Sequence, residues 1–119
     1  MPHLTLETTH NLSSPNAEVA LKRLNQVLAA SGQFDEEIDI KSRAVRLDTF
    51  AVGTADDPRA FAHVRLSILS GRPPETKLAL STALLAALKE LYVPVDGLHT
   101  QLCVEVQEID RASYAKSVA

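Results

Sequence analysis

A strand, a helix and a second strand recur twice along these 119 residues at a spacing of roughly sixty, which constrains the fold more than any other feature. In the first unit, His3 to Glu7 alternates, with Leu4 and Leu6 on one side and His3, Thr5 and Glu7 on the other. That is the period-2 signature of a sheet with one covered face. A polar stretch, Thr8 to Ser14, leads to Pro15, which suits the first turn of a helix. Ser13 or Ser14 is then the expected N-cap, with Glu18 near the positive end of the helix dipole. Val19, Ala20, Leu24, Val27 and Leu28 follow at helical spacing, and Gly32 is a natural stop. A second extended segment runs from about Ile38 to Leu47.

The order then repeats. Phe61 to Leu69 alternates cleanly, with Val64, Leu66 and Ile68 on one face and His63, Arg65 and Ser67 on the other. Gly71-Arg72-Pro73-Pro74 turns the chain, and Glu75 opens a long helix whose stripe is Leu80, Leu84, Leu88 and Leu91, widened by Leu78 and Leu85. Pro94 ends that helix at Val93 or before. Leu102 to Val106 alternates as the last strand. The chain therefore reads as one domain, 1–119, with a pseudo-repeat of 1–52 and 58–109 and a polar tail, 110–119. Strands joined through a helix pair in parallel by a right-handed crossover. Two such β-α-β units side by side give an α+β fold: a four-stranded mixed sheet with two helices on one face. The other face would carry His3, Thr5, His63, Arg65, Cys103 and Glu105, too polar for a core and too varied for simple solvation. An open face with two free edges favours symmetric association.

Composition excludes several function classes. Fifteen acids against twelve Lys and Arg give a net charge of −3, and three Phe, two Tyr and no Trp offer little for base stacking. No nucleic-acid partner is expected. A single cysteine, Cys103, cannot form an intrachain disulfide and fits a reducing compartment. With no bilayer-length apolar run and no signal-peptide pattern, a cytoplasmic protein without a membrane partner is expected. His3, His10, His63 and His99 lack metal-ligand spacing, so no metal site is expected. There is no Gly-x-Ser-x-Gly nucleophile motif, and four scattered glycines make neither a phosphate loop nor a dinucleotide fingerprint. Glu36-Glu37 and Asp56-Asp57 read as solubilising turns.

The N-terminus offers a different chemistry. Initiator methionine is normally clipped before a small residue, so Met1-Pro2 would leave Pro2 with a secondary amine, free to take up and release a proton. An ordinary α-amine titrates at about 7.7–8.0, and burial or nearby cations lower it towards the range where a general base works best. Arg72, between the third strand and the second helix, can present its planar fork to a carboxylate at the strand ends. Lys41 and Arg43 leave one face of the second strand, and Arg46 the other. A lone surface cation is usually just solvated. A base grouped with cations that can hold a dianion instead describes proton transfer beside a carboxylate.

These residues carry a resemblance. Met1-Pro2-His3, Leu28-Ala29-Ala30-Ser31-Gly32-Gln33-Phe34, Ile40-Lys41-Ser42-Arg43-Ala44, Asp48-Thr49, Phe61-Ala62-His63-Val64 and Gly71-Arg72-Pro73-Pro74-Glu75 occur in order. In that order and spacing, from Pro2 to about Glu108, the chain resembles the 5-carboxymethyl-2-hydroxymuconate delta-isomerase family. That family lies in the tautomerase superfamily, with 4-oxalocrotonate tautomerase and macrophage migration inhibitory factor. The resemblance implies a homotrimer with active sites near subunit boundaries and no cofactor. Pro2 would be the catalytic base, moving a proton between carbons of a small unsaturated 2-hydroxy or 2-oxo dicarboxylate from aromatic-compound breakdown. Arg72 would bind a carboxylate or the developing enolate oxygen, and Lys41 and Arg43 would bind substrate. One departure stands out: the family's Ile-Arg-Ser-Arg is here Ile40-Lys41-Ser42-Arg43, which keeps the charge but loses a planar fork. Two alternatives stay open. One is a related tautomerase or a hydratase/dehalogenase on a small unsaturated acid; the other is a non-catalytic trimeric binding protein. The tail, with Tyr114 as its one large side chain, is expected either to extend over a neighbouring subunit or to fray.

Overall fold

A computed structural model describes residues 1–119. The elements run β1 (His3–Thr9), α1 (Ala17–Ala30), a single 3-10 turn (Glu37–Asp39), β2 (Lys41–Leu47), β3 (Arg59–Leu69), α2 (Pro74–Leu91) and β4 (His99–Ile109). The sheet order is β2-β1-β3-β4. β2 lies parallel to β1 and β4 parallel to β3, and the two units join through the antiparallel β1–β3 pair. Both helices cover one face. The fold expected from the repeated pattern is the one observed.

Alternation decides which residues enter the core. Ala62, Val64, Leu66 and Ile68 on β3 and Leu4 and Leu6 on β1 are fully or almost fully buried, and they meet Ala20, Leu24 and Leu28 of α1 and Leu80, Leu84, Ala87 and Leu88 of α2. Each fully buried leucine of this set contributes about 1.5–3 kcal/mol. The helical stripes are narrower than expected from apolar content. Val19 is 58% exposed and Leu78 66%, because neither lies on the helical face that meets the sheet, whereas Ala87, three residues after Leu84, does.

Other boundaries also differ from expectation: β4 runs further at both ends than Leu102 to Val106, and Pro15 lies just before α1 rather than in its first turn. Asn16, rather than Ser13 or Ser14, caps α1, its side chain accepting from the Val19 amide at 3.1 Å. Ser14 is used elsewhere: its hydroxyl donates to the Val93 carbonyl at 3.3 Å and accepts from the Val93 amide at 2.9 Å, tying the entry of α1 to the exit of α2. Near the other extended segment, Ile38 lies in the 3-10 turn and β2 starts only at Lys41, because that turn uses residues 37–39.

On the open face, His63 stands between two carboxylates, with Nε2 2.9 Å from Glu105 Oε1 and Nδ1 3.7 Å from Glu7 Oε1. Arg65 Nε lies 3.5 Å from the same Glu105 oxygen. Opposite charges on adjacent strands thus cross-link the face that no helix covers.

Candidate functional site

Topology gathers the chemistry at one end of the sheet. β1 begins there, β2 begins there because it is parallel to β1, and β3 ends there because it is antiparallel. His3 accordingly lies opposite both Lys41 and Ser67. Pro2 is fully buried, and its carbonyl accepts from the Lys41 amide at 3.2 Å, extending the ladder by one residue. With Met1 in place, the Pro2 nitrogen is an amide.

Arg72 reaches this end through the turn after β3. Gly71 has φ 126°, a region that residues with a Cβ rarely enter, and this lets the chain reverse just before the arginine. The Arg72 guanidinium then donates from Nε to Gln33 Oε1 at 3.2 Å and from Nη2 to the Gln33 carbonyl at 2.7 Å. It also sits 4.9 Å from the centre of the Phe34 ring. These contacts fix the fork without spending its charge, since none of its acceptors is a carboxylate.

Lys41 donates its ammonium to the Asp39 carbonyl, again a neutral acceptor. Lys116, from the C-terminal tail, supplies a third cation, bonded to Asp39 Oδ1 at 2.5 Å and 3.2 Å from Met1 Sδ. Three cations therefore surround the N-terminus against one carboxylate, in a chain whose net charge is −3. Burial lowers the Met1 amine below its ordinary value; Asp39 opposes that, while Lys41, Arg72 and Lys116 press it further down. Asp39 is itself held low, first by its hydrogen bond from Lys116 and, against some desolvation, by the charges of Lys116, Lys41 and the N-terminus.

Arg43 lies one pleat further along β2, opposite Thr5. Its Nη2 is 3.0 Å from His3 Nδ1, and the other ring nitrogen, Nε2, is 2.9 Å from the Tyr114 hydroxyl. An arginine only donates, so Nδ1 must be the acceptor and Nε2 carries the proton. His3 is thus held neutral. Burial, then Lys41, Arg43 and the N-terminal amine, all lower its pKa. The sign of the resulting pH dependence follows directly. A histidine whose folded pKa lies below 6.5 leaves the unfolded chain binding the extra proton, so stability is full above 6.5 and falls as pH drops below it. Melting temperatures at pH 7.5 and 5.5 should differ more for this chain than for His3→Gln; equal differences would remove His3 as the cause.

Of the residues singled out in the sequence, Pro2, Lys41 and Arg72 come together, Arg43 joins them through His3, and Arg46 points away to the His10 carbonyl. Asp39, Tyr114 and Lys116 were missed as site residues. Gln33 and Phe34 stood inside a recognisable stretch, but nothing in their spacing marked them as the seat of an arginine. The tail also reaches this end. Within the chain it is held down: Arg111 Nε bonds the Ser70 carbonyl at 3.1 Å, and Tyr114 and Lys116 anchor on His3 of β1 and on Asp39. The largest groove, about 670 Å³, lies between α1 and α2; alanines such as Ala79 and Ala83 line it together with polar residues that include Gln33, the partner of Arg72. No helix is long and apolar enough to cross a membrane.

Known proteins align with this architecture along its whole length. The family described as 5-carboxymethyl-2-hydroxymuconate isomerase matches residues 2–119. A crystal structure of a 5-carboxymethyl-2-hydroxymuconate isomerase from Deinococcus radiodurans R1 is 35% identical, with a TM-score of 0.84 over 98% of this chain and 88% of that one. A 5-carboxymethyl-2-hydroxymuconate delta-isomerase structure gives 17% identity and a TM-score of 0.85 over 99% of this chain and 89% of that one. A fused 4-OT symmetric trimer shares the fold at 21% identity, with a TM-score of 0.70 over 97% of this chain and 91% of that one. No relative of curated function matches in sequence. Matched over 118 of its 119 residues (2–119), the chain belongs to the 5-carboxymethyl-2-hydroxymuconate isomerase family, within the tautomerase superfamily.

Proposed function

We propose that this protein is a cofactor-independent isomerase, cytoplasmic and active in aromatic-compound breakdown. It moves a proton between carbons of an unsaturated 2-hydroxy or 2-oxo dicarboxylate resembling 5-carboxymethyl-2-hydroxymuconate. The observation that carries this reading is the excess of cations around the N-terminus, with Arg72 and Lys41 both bonded only to neutral acceptors. Once Met1 is removed, Pro2 becomes a buried secondary amine in that field. Desolvation and neighbouring cations, which already lower the Met1 amine, act on it in the same direction. The neutral amine accepts a proton from a substrate carbon next to a carbonyl. The electron pair left behind spreads into a dienolate, whose oxygen Arg72 stabilises, and the same amine returns the proton to another carbon of the conjugated chain. Proton and electrons balance within the pair, so no external oxidant or metal is required. Lys41 and Arg43 bind substrate carboxylate, Lys41 as a point charge.

The open sheet face and the free edges of β2 and β4 support a homotrimer, in which a neighbour closes the site. Light scattering should return roughly three times 12.9 kDa and hold that value on dilution. A monomer at working concentration would remove both the trimer and the shared site.

The decisive test combines intact mass with turnover. Natively produced protein should begin at Pro2, and 2-hydroxymuconates and 2-oxo acids followed by ultraviolet absorbance should show catalysed isomerisation of dicarboxylates. Fully retained Met1 with no turnover on any of them would favour a binding protein instead.

A further inference from the structure

Lys116 is the unexpected member of the cluster. It belongs to no strand or helix, yet the tail that carries it is fastened to the sheet at two points and folded on itself at a third. Arg111 donates to the Ser70 carbonyl, Ser113 folds back on Asp110 through Oγ–Oδ2 at 2.7 Å, and Tyr114 meets His3 at 2.9 Å. These contacts carry the chain from the end of β4 across to the start of β1. The Lys116 ammonium has three donors. One is bound to Asp39, and another faces the thioether of Met1, a weak acceptor. Met1 is the residue whose removal would free the Pro2 amine. After that removal, the donor now aimed at Met1 Sδ would face the space beside Pro2, where a carboxylate oxygen would form a far stronger, charge-assisted bond.

We propose that Lys116 is a substrate-binding residue and that the C-terminal tail is a strap delivering it to the N-terminal site, where it takes the second carboxylate of a dicarboxylate substrate. The inference rests on the reading of Pro2 and Arg72 given above and adds the division of labour. Arg72, fixed by Gln33 and Phe34, holds one end of the substrate; Lys116, on a tail pinned by few contacts, closes on the other. Asp39 keeps the ammonium in place when the site is empty. The donor released from Met1 then goes to substrate, so selectivity for two carboxylates over one resides in the tail rather than in the sheet.

Binding of two unreactive dienes separates this role from catalysis. Trans,trans-muconate and sorbate share a six-carbon diene and differ by one carboxylate, so calorimetry on Met1-free protein reads the second carboxylate alone. The intact protein should prefer muconate. Lys116→Met should weaken muconate by about tenfold and leave sorbate unchanged, Lys116→Arg should restore most of the difference, and Tyr114→Phe should weaken muconate by less. A melting temperature matching the parent would show that the exposed Lys116→Met substitution leaves the fold intact. Equal muconate affinity in parent and Lys116→Met, or no muconate preference in the parent, would overturn the proposal. A Lys116-dependent preference in a protein that isomerises nothing would keep the strap and discard the isomerase; turnover with a Lys116-independent KM for dicarboxylates would do the reverse.

Discussion

Keeping Met1 attached is expected to reduce isomerisation to background, and Pro2→Ala in a chain starting at residue 2 should lower kcat/KM by roughly 10²–10⁴-fold, the usual worth of a positioned acid–base group. The two changes act differently. Retained Met1 leaves an amide at Pro2, and the free amine moves back to Met1, outside the ladder position fixed by the Lys41 amide. Alanine at position 2 still offers an amine, but without the ring it has a free φ and more hydration. Its basicity and placement both change. The acid limb of the kcat/KM profile should therefore move with the substitution, since the group that must be neutral is itself altered. Burial of Pro2 and the surrounding cations set its direction: the amine of the intact site should titrate below an ordinary α-amine, leaving it unprotonated near neutrality. Matched samples verified by intact mass make the comparison clean. Comparable turnover in the alanine variant across the whole pH range would take Pro2 out of the mechanism.

How much of this was legible beforehand depends on range. Alternation in β1 and β3 and the leucine spacing of α2 are local signals, and they placed the sheet, its open face and the helices with only small boundary errors. The N-cap of α1 went to Asn16 because Ser14 is drawn into a bond with Val93, seventy-nine residues away, which no local rule can register. The site divides the same way. Pro2, Lys41 and Arg72 were readable because each stands at a strand end whose position follows from topology. Asp39 and Lys116 were not, because their pairing brings a turn before β2 against a tail seventy-seven residues later. Polar contacts of that kind carry no periodicity. An isolated lysine near a C-terminus looks the same whether it is solvated or placed.

Arg72→Ala should cost about 2–4 kcal/mol in transition-state stabilisation, equivalent to roughly 30- to 10³-fold in kcat, if its fork meets the enolate oxygen within a site closed by a neighbour. Two separate effects must be told apart, because Arg72 also supports the fold locally. Its bonds to Gln33 and its seat on Phe34 join the end of α1 to the start of α2, so the alanine variant should melt at a lower temperature. Those acceptors lie at the surface end of the sheet, where water can replace the guanidinium, and the loss of stability should stay near the 0.5–1.5 kcal/mol expected per hydrogen bond. The kinetic loss should be much larger than that. Arg72→Lys keeps the positive charge but contributes a single point donor in place of two parallel N–H groups, and it should recover little of kcat while restoring part of KM. Such a split distinguishes a group that acts on the developing oxyanion from one that only attracts a dianion to the site. A lysine variant with full kcat would reduce Arg72 to an electrostatic attractor, and an alanine variant with unchanged kcat/KM would remove it from the reaction.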